Sequence, residues 1–175
     1  MKHFAVLCSM FLFSCVLVSC AISASGNDVS LQQEFEEYQQ FMRIQEGRAA
    51  LIKDAQAYFS DRKWHNLRQT YNKAAGSSNE ADRLIVDRAL VFPLAMTSVL
   101  VFKEHREDAG GCLFVEGVDE TQDPVVFFIS YVYEGGRWVI DEMATEYYTD
   151  NTEPYIKEPI CNMEQRDALW LEQFQ

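Results

Sequence analysis

The strongest strand pattern in the chain is Val125-Val126-Phe127-Phe128-Ile129-Ser130-Tyr131-Val132-Tyr133, an uncharged run of aromatic and β-branched residues. Successive residues of a strand point to opposite faces, and both faces are apolar here. A strand that is apolar on both faces is typical of the centre of a covered sheet. We therefore expect residues 125–133 to form a central strand. Its aromatic side chains either fill a core or line a pocket for an apolar ligand.

A hairpin is predicted directly after this strand. Gly135-Gly136 is a two-residue turn signal, and residues 137–148 have the pattern of a returning strand. Upstream, residues 97–103 and 113–118 have shorter strand patterns, and Gly110-Gly111 is the turn signal between them. Together these segments predict a meander of antiparallel strands.

Helix patterns come before the meander. Ser30 begins the first helix, with Gln33 at the spacing of a capping box. An apolar stripe then follows at helical spacing, and it consists of Leu31, Phe35, Tyr38, Met42, Ala49, Ile52 and Phe59. A second helix is predicted for residues 62–75, capped by Ser60 or Asp61. A third is predicted for residues 79–91, before Pro93.

One more helix is predicted at the C-terminus, with Asn162 as its cap. Its side chains available for packing are Met163, Leu169, Trp170, Leu171 and Phe174. Helices followed by antiparallel strands indicate an α+β fold. We expect N-terminal helices packed on a curved antiparallel sheet, with a C-terminal helix, in one domain over residues 31–175.

The N-terminus has the pattern of an export signal. Lys2 precedes an apolar run that is too short to span a membrane. The run ends in Leu17-Val18-Ser19-Cys20, which resembles the lipobox of bacterial lipoproteins. The resemblance implies that residues 1–19 are removed as a signal peptide and that Cys20 receives a diacylglycerol and a further fatty acid such as palmitate. Residues 20–30 then form the lipidated cysteine and a short polar tether.

Two other processing sites remain open. The run Leu12-Phe13-Ser14-Cys15 is a competing lipobox with a poorer fit at Phe13. A conventional cut after Ser23 or Ser25 would instead give a soluble secreted protein. With Cys20 as the anchor, Ala21 differs from the aspartate that keeps lipoproteins at the inner membrane. The expected location is therefore the cell envelope, at the outer membrane facing the periplasm if the cell has two membranes.

The charge of the chain limits its partners. The 175 residues carry a formal net charge of −12, and removal of residues 1–19 takes away Lys2 and no acid. Such a surface repels nucleic acid and anionic lipid head groups. We therefore expect no nucleic-acid binding, while a basic protein partner is compatible with this charge.

Two further cysteines, Cys112 and Cys161, remain after the proposed cleavage. Exported proteins occupy compartments that permit disulfides, so we predict that these two residues pair. The bond would close a loop of about 50 residues, which corresponds to about 4 kcal/mol of chain entropy. Two buried free thiols are the alternative. No metal-ligand motif accompanies them, and no metal or other cofactor is expected.

Two features of the chain point to a known family. They are the order of these elements and the segment Gly135-Gly136-Arg137-Trp138-Val139-Ile140. Both features resemble the nuclear transport factor two-like superfamily, over residues 49–148. The resemblance implies a cone in which a bent sheet wraps round helices. It also implies either a binding module or an enzyme that uses carboxylates with Tyr or His inside the cone. The first helix and the helix after Cys161 depart from the usual pattern.

Candidate catalytic residues lie on the hairpin. Asp141 or Glu142 is a possible general base, and Tyr131 or Tyr133 is a possible proton donor. On a regular strand, Trp138, Ile140, Glu142 and Ala144 would share one face, while Val139, Asp141 and Met143 would share the other. No Ser elbow, Gly-rich phosphate loop or His-rich motif is present.

Two classes of function therefore remain. The favoured class is a membrane-anchored, non-catalytic protein-binding module, such as an immunity or inhibitor protein or an accessory subunit of an envelope assembly. The alternative is a small enzyme or apolar-ligand-binding protein with a cone pocket. An enzyme predicts an enclosed cavity lined by a carboxylate and a tyrosine, whereas a binding module predicts a filled core.

Overall fold

The computed structural model describes residues 29–44, 54–75, 88–148, 154 and 156–172. Within these ranges the sheet is a four-stranded antiparallel meander in the order β1-β2-β3-β4. The elements are α1 (Leu31–Ile44), α2 (Asp61–Ala75), β1 (Ser98–Arg106), β2 (Gly110–Val118), β3 (Pro124–Glu134), β4 (Arg137–Tyr147) and α3 (Met163–Glu172). The predicted α+β class with a C-terminal helix is confirmed.

β3 is a central strand, as predicted from its two apolar faces. It pairs with β2 on one side and β4 on the other, and residues 125–131 are buried. The predicted turn joins β3 to β4, with φ angles of 61° at Gly135 and 88° at Gly136. Two consecutive residues in the left-handed backbone region form a turn whose twist matches that of the two paired strands. Glycine adopts this conformation without steric cost.

The prediction of a turn at Gly110-Gly111 is wrong. Both residues belong to β2, where they pair with Val132 and Tyr131 of β3, and the turn lies just before them. A Cβ atom on Gly111 would lie 2.8 Å from the Leu31 side chain. Glycine therefore serves here to let α1 approach the sheet closely.

The main core lies between α1, α2 and one face of the sheet. The predicted stripe on α1 is confirmed for Leu31, Phe35, Tyr38 and Met42, which are all buried. Phe59 is also buried, but it does not continue the first helix as predicted. It is extended and forms a parallel bridge with Ile140 of β4. The predicted positions Ala49 and Ile52 lie outside the described residues.

Side chains of β1 hold the start of α1 in place. The Ser30 hydroxyl accepts a hydrogen bond from the Gln33 amide at 3.1 Å, which confirms the predicted cap. The Glu104 carboxylate accepts hydrogen bonds from the amides of Leu31 at 3.0 Å and Gln32 at 3.3 Å. These contacts satisfy amides that the helix itself leaves unpaired, and they fix the entry of the chain at the β1 edge.

A smaller core covers the opposite face of the sheet. Phe114, Val126, Phe128 and Ile156 form it, and Met163 and Leu169 of α3 pack against it. Asn162 caps α3 as predicted, since its Oδ1 accepts a hydrogen bond from the Gln165 amide at 3.0 Å. The sheet is therefore covered on both faces.

Several predictions fall on residues outside the described ranges. They are the signal peptide, Cys20 and its tether up to residue 28, most of the predicted third helix and Phe174. The end of the third helix is described, and residues 88–91 are helical. The helices of the described ranges include none with the length and apolarity that a membrane span requires.

Candidate functional site

A β-bulge in β4 determines where the predicted carboxylates point. Ser130 pairs with Glu142, whereas Tyr131 pairs with Ile140, so Asp141 is an extra residue without a partner on β3. A bulge breaks the regular alternation of side chains. The bulge therefore places Asp141 outside the alternation that the sequence predicted.

The predicted faces of β4 are consequently wrong beyond the bulge. Trp138 and Ile140 face the main core, but Met143 packs against that same core. Ala144 packs against the smaller core on the opposite face. Because a single inserted residue reverses all later positions, the apolar spacing in the sequence could not reveal this change.

Ser60 links Asp141 to the start of α2. The buried Ser60 hydroxyl donates a hydrogen bond to Asp141 Oδ1 at 2.6 Å and accepts one from the Lys63 amide at 3.0 Å. The Ser60 amide donates to the Ile140 carbonyl at 2.9 Å. Ser60, one of the two predicted caps, therefore serves both as the helix cap and as the support of the bulge.

Arg62 bridges both candidate carboxylates. Its Nη2 atom lies 2.5 Å from Asp141 Oδ2 and 2.8 Å from Glu142 Oε1, and its Nε donates to Asp141 Oδ1 at 3.2 Å. Burial opposes ionisation of Asp141, but the hydrogen bonds from Arg62 and Ser60 outweigh it. The pKa of Asp141 is therefore lowered from its ordinary value of 3.8. A carboxylate held ionised in this way is a poor general base at neutral pH.

Open grooves flank this cluster of Ser60, Arg62, Asp141 and Glu142. One groove of about 350 Å³ runs from the bulge to the start of α3 and includes Cys161. The other, of about 240 Å³, runs along α2 past Lys63. Burial lowers the pKa of the Lys63 ammonium, although both carboxylates oppose this effect. Both grooves are at least partly open to solvent.

The tyrosines proposed as proton donors lie elsewhere. Tyr131 belongs to the main core with only 2% of its surface exposed, and burial raises the pKa of its hydroxyl. Tyr133 packs edge-on against Trp138, with ring centroids 5.2 Å apart. Neither tyrosine is among the described residues that line the grooves beside Asp141 and Glu142. Among the described residues, the grooves beside Asp141 and Glu142 therefore contain neither of the two proposed proton donors.

The predicted disulfide is present. Cys112 and Cys161 are bonded, with an S–S distance of 2.13 Å, and they are 49 positions apart in the chain. Cys112 is buried in β2, whereas Cys161 is exposed directly before α3. The bond therefore ties the start of the C-terminal helix to the sheet.

An ion pair provides the second attachment of α3. Arg166 Nη1 lies 2.5 Å from Glu146 Oε1, and both side chains are largely buried. Tyr148 donates a hydrogen bond to the other oxygen of Glu146. The Arg166 guanidinium also lies 5.7 Å from the centre of the Phe128 ring, at a distance typical of cation–π contacts.

Sequence reasoning missed the basic partners in both clusters. Arg62 is 79 positions from Asp141, and Arg166 is 20 positions from Glu146. A single sequence carries no signal for such pairs, because any exposed arginine on a helix has the same local pattern. Of the two partners of Asp141, Ser60 and Arg62, the sequence singled out only Ser60, as a possible helix cap.

The described residues do not form a metal centre. They contain no group of three or more His, Cys, Asp or Glu side chains placed to hold a metal ion. In the acidic turn between β2 and β3, Asp119 accepts hydrogen bonds from the amides of Thr121 and Asp123.

Comparison of the chain with protein families, curated proteins and solved structures gives no match.

Proposed function

We propose that this protein is a lipid-anchored component of the bacterial cell envelope that acts as a non-catalytic protein-binding module. The anchor is a diacylglycerol on Cys20, in the sequence Leu17-Val18-Ser19-Cys20. Two acyl chains suffice for stable attachment to a bilayer. Ala21 supports delivery to the outer membrane, facing the periplasm, in a cell with two membranes.

The start of the folded domain supports a location close to the membrane. Arg106 Nη1 donates to the Val29 carbonyl at 3.2 Å, so Val29 is held at the β1 edge of the domain. Only residues 20–28 lie between the proposed lipidated cysteine and Val29. A chain of this length spans at most roughly 30 Å, so the domain works close to the bilayer surface.

The aromatic packing of the main core is the observation that carries the non-catalytic assignment. The main core between the helices and the sheet is packed with aromatic side chains, among them Phe35, Tyr38, Phe92 and Phe127. Phe92 and Phe127 meet edge to face, with ring centroids 5.2 Å apart. The candidate carboxylates lie outside this core, in ion pairs with Arg62. This arrangement supports a domain that acts through its surface.

The acidic surface supports a basic protein partner. With a net charge of −12, the chain attracts a basic protein and repels nucleic acid. An immunity or inhibitor protein that neutralises a basic toxin fits this description, and so does an accessory subunit of an envelope assembly.

The anchor is tested by the full-length variant Cys20→Ala, with Cys15→Ala as the matched control. The control changes the competing lipobox, so it should remain bound to membranes and carry the mass of the acyl chains on its N-terminal peptide. The Cys20→Ala variant should lose both. A Cys20→Ala protein that keeps its fatty acids, or a mature chain that begins at another residue, contradicts the proposal.

The binding function is tested by recovery of the full-length protein from envelope membranes at two ionic strengths. A partner held by charge should co-purify at low salt and dissociate in about 1 M salt, where the Debye length falls to about 3 Å. Recovery of the lipidated protein alone at low salt contradicts the binding module.

A further inference from the structure

We infer that the groove between the β4 bulge and the start of α3 binds an arginine side chain of a basic protein partner. Ser130 of β3, Glu142 of β4 and Glu164 of α3 line this groove, whose volume is about 350 Å³. We call these three residues the groove acceptors. The inference rests on the proposed function for its claim that the domain binds a protein, and it adds the place and the chemistry of recognition.

The sheet register and the disulfide together build the groove. Cys112, Ser130 and Glu142 are direct neighbours across β2, β3 and β4, so their side chains stand in one row on one face of the sheet. The Cys112–Cys161 bond holds the start of α3 at one end of this row. Glu164, in the first turn of α3, therefore faces the same groove. A site that is held in place before its partner arrives loses less entropy on binding.

Ser130 is the residue that points to a ligand. It is only 8% exposed, yet its hydroxyl forms no hydrogen bond with any residue that the structure describes. A buried polar group without a partner is costly to a protein, and such groups are rare. Because Ser130 lines the groove, a group bound there can supply the hydrogen bond that the fold does not.

The charge around the groove selects a cation. Three carboxylates line it, those of Asp141, Glu142 and Glu164, and Arg62 is the one basic residue among the described residues of the lining. Arg62 engages both oxygens of Asp141 but contacts Glu142 through Oε1. Within the described part of the chain, no side chain engages the Glu164 carboxylate. The groove acceptors therefore keep oxygens that can accept hydrogen bonds from a bound cation.

The placement of the groove acceptors favours a guanidinium over a compact cation. They belong to three different elements, and the described residues contain no three acidic or other metal-ligating side chains grouped closely enough for a metal ion. A guanidinium carries five N–H donors in a rigid plane and can reach separate oxygens, whereas an ammonium is a point charge. The groove volume of about 350 Å³ lies near the lower end of the range for ligand pockets, which suits a single side chain.

The probe for this inference is a blocked, glycine-rich peptide with a single central arginine. It is titrated into the isotopically labelled full-length protein in a non-ionic detergent and followed by nuclear magnetic resonance. We expect saturable shift changes at the amides of the groove acceptors, weaker at high salt. A peptide with citrulline, which has the shape of arginine without its charge, should bind at least about tenfold more weakly. A lysine peptide should bind about threefold more weakly, since it lacks the planar set of donors.

Two variants test the groove acceptors, each with a matched control. Ser130→Ala removes a hydroxyl that has no partner in the described structure, so it should weaken binding of the arginine peptide about fivefold without lowering the free energy of unfolding in urea. Its control, Ser98→Ala at an exposed position of β1, should leave the affinity unchanged. Glu164→Gln should weaken binding about threefold. Glu120→Gln, at an exposed position between β2 and β3, removes the same charge and should change the affinity less than about twofold.

Four results would each overturn the inference. They are equal binding of the arginine and citrulline peptides, shift changes spread evenly over the acidic surface, equal affinities of Ser130→Ala and the wild type, and tighter binding of free arginine than of the blocked peptide. The last result would assign the groove to a small molecule. A partner that co-purifies equally well with the wild type and with Ser130→Ala would contradict the groove and leave the binding module standing, so the two failures are distinguishable.

Discussion

Replacement of both disulfide cysteines, Cys112→Ala with Cys161→Ala, should lower the free energy of unfolding by about 4 kcal/mol. The bond closes a loop between residues 49 positions apart, and the chain-entropy relation gives about 4 kcal/mol for a loop of this length. Cys112 is buried, so loss of its sulfur adds a smaller packing cost. None of the α3 residues is fully buried, so we expect their contacts to replace only part of the lost constraint.

Urea unfolding, followed by far-ultraviolet circular dichroism and by tryptophan fluorescence, measures this change by linear extrapolation. The oxidised wild type is the reference, and the wild type in excess dithiothreitol should behave like the double variant. A double variant within about 1 kcal/mol of the oxidised wild type would refute the reasoning. Alkylation of both cysteines without prior reduction would show that the bond is absent.

Three further perturbations test individual contacts. Arg166→Met should cost about 3 kcal/mol in urea unfolding, because it leaves the buried Glu146 carboxylate without its cation. Asp141→Asn should destabilise the protein at neutral pH and progressively less in acid. The lowered pKa of Asp141 gives stability that is present above its unfolded pKa and is lost as pH falls through the folded value. Gly117→Ala should cost at least about 2 kcal/mol in thermal or urea unfolding, since its Cβ would lie 2.2 Å from a backbone oxygen.

Controls make these three outcomes specific. Gly110→Ala is the matched change for Gly117, because its Cβ would meet nothing closer than 3.9 Å, and it should be nearly neutral. For Arg166, the cost should shrink in a Glu146→Gln background, as a double-mutant cycle would show. For Asp141, an equal cost at pH 7 and at about pH 3 would contradict the assigned ion pair.

Local sequence patterns predicted much of the fold. The run from Val125 to Tyr133 has two apolar faces, which predicted a central strand, and these residues form most of β3. The hairpin, the cap at Ser30 and the disulfide also followed from residue type and spacing. The predicted lipobox and the resemblance to the nuclear transport factor two-like superfamily stay predictions.

The candidate site was less predictable because it depends on contacts distant in sequence. Gly111 was read as a turn, but its real constraint is the Leu31 side chain, 80 positions earlier. Asp141 was placed by regular alternation, which a bulge interrupts without any change in the local apolar pattern. Its partner Arg62 lies on a separate helix. In each case the deciding neighbour is absent from the local window that a single sequence offers.

The position of Glu104 has a consequence for the timing of folding during synthesis. Its carboxylate completes the first turn of α1, yet it is added to the growing chain 73 residues after Leu31. An isolated helix of this length is marginal in water, and the apolar side of α1 meets its partner strands only after they leave the ribosome. We therefore expect α1 to reach its full stability only after β1 has been made. Late folding of this kind would be compatible with the export proposed for this chain.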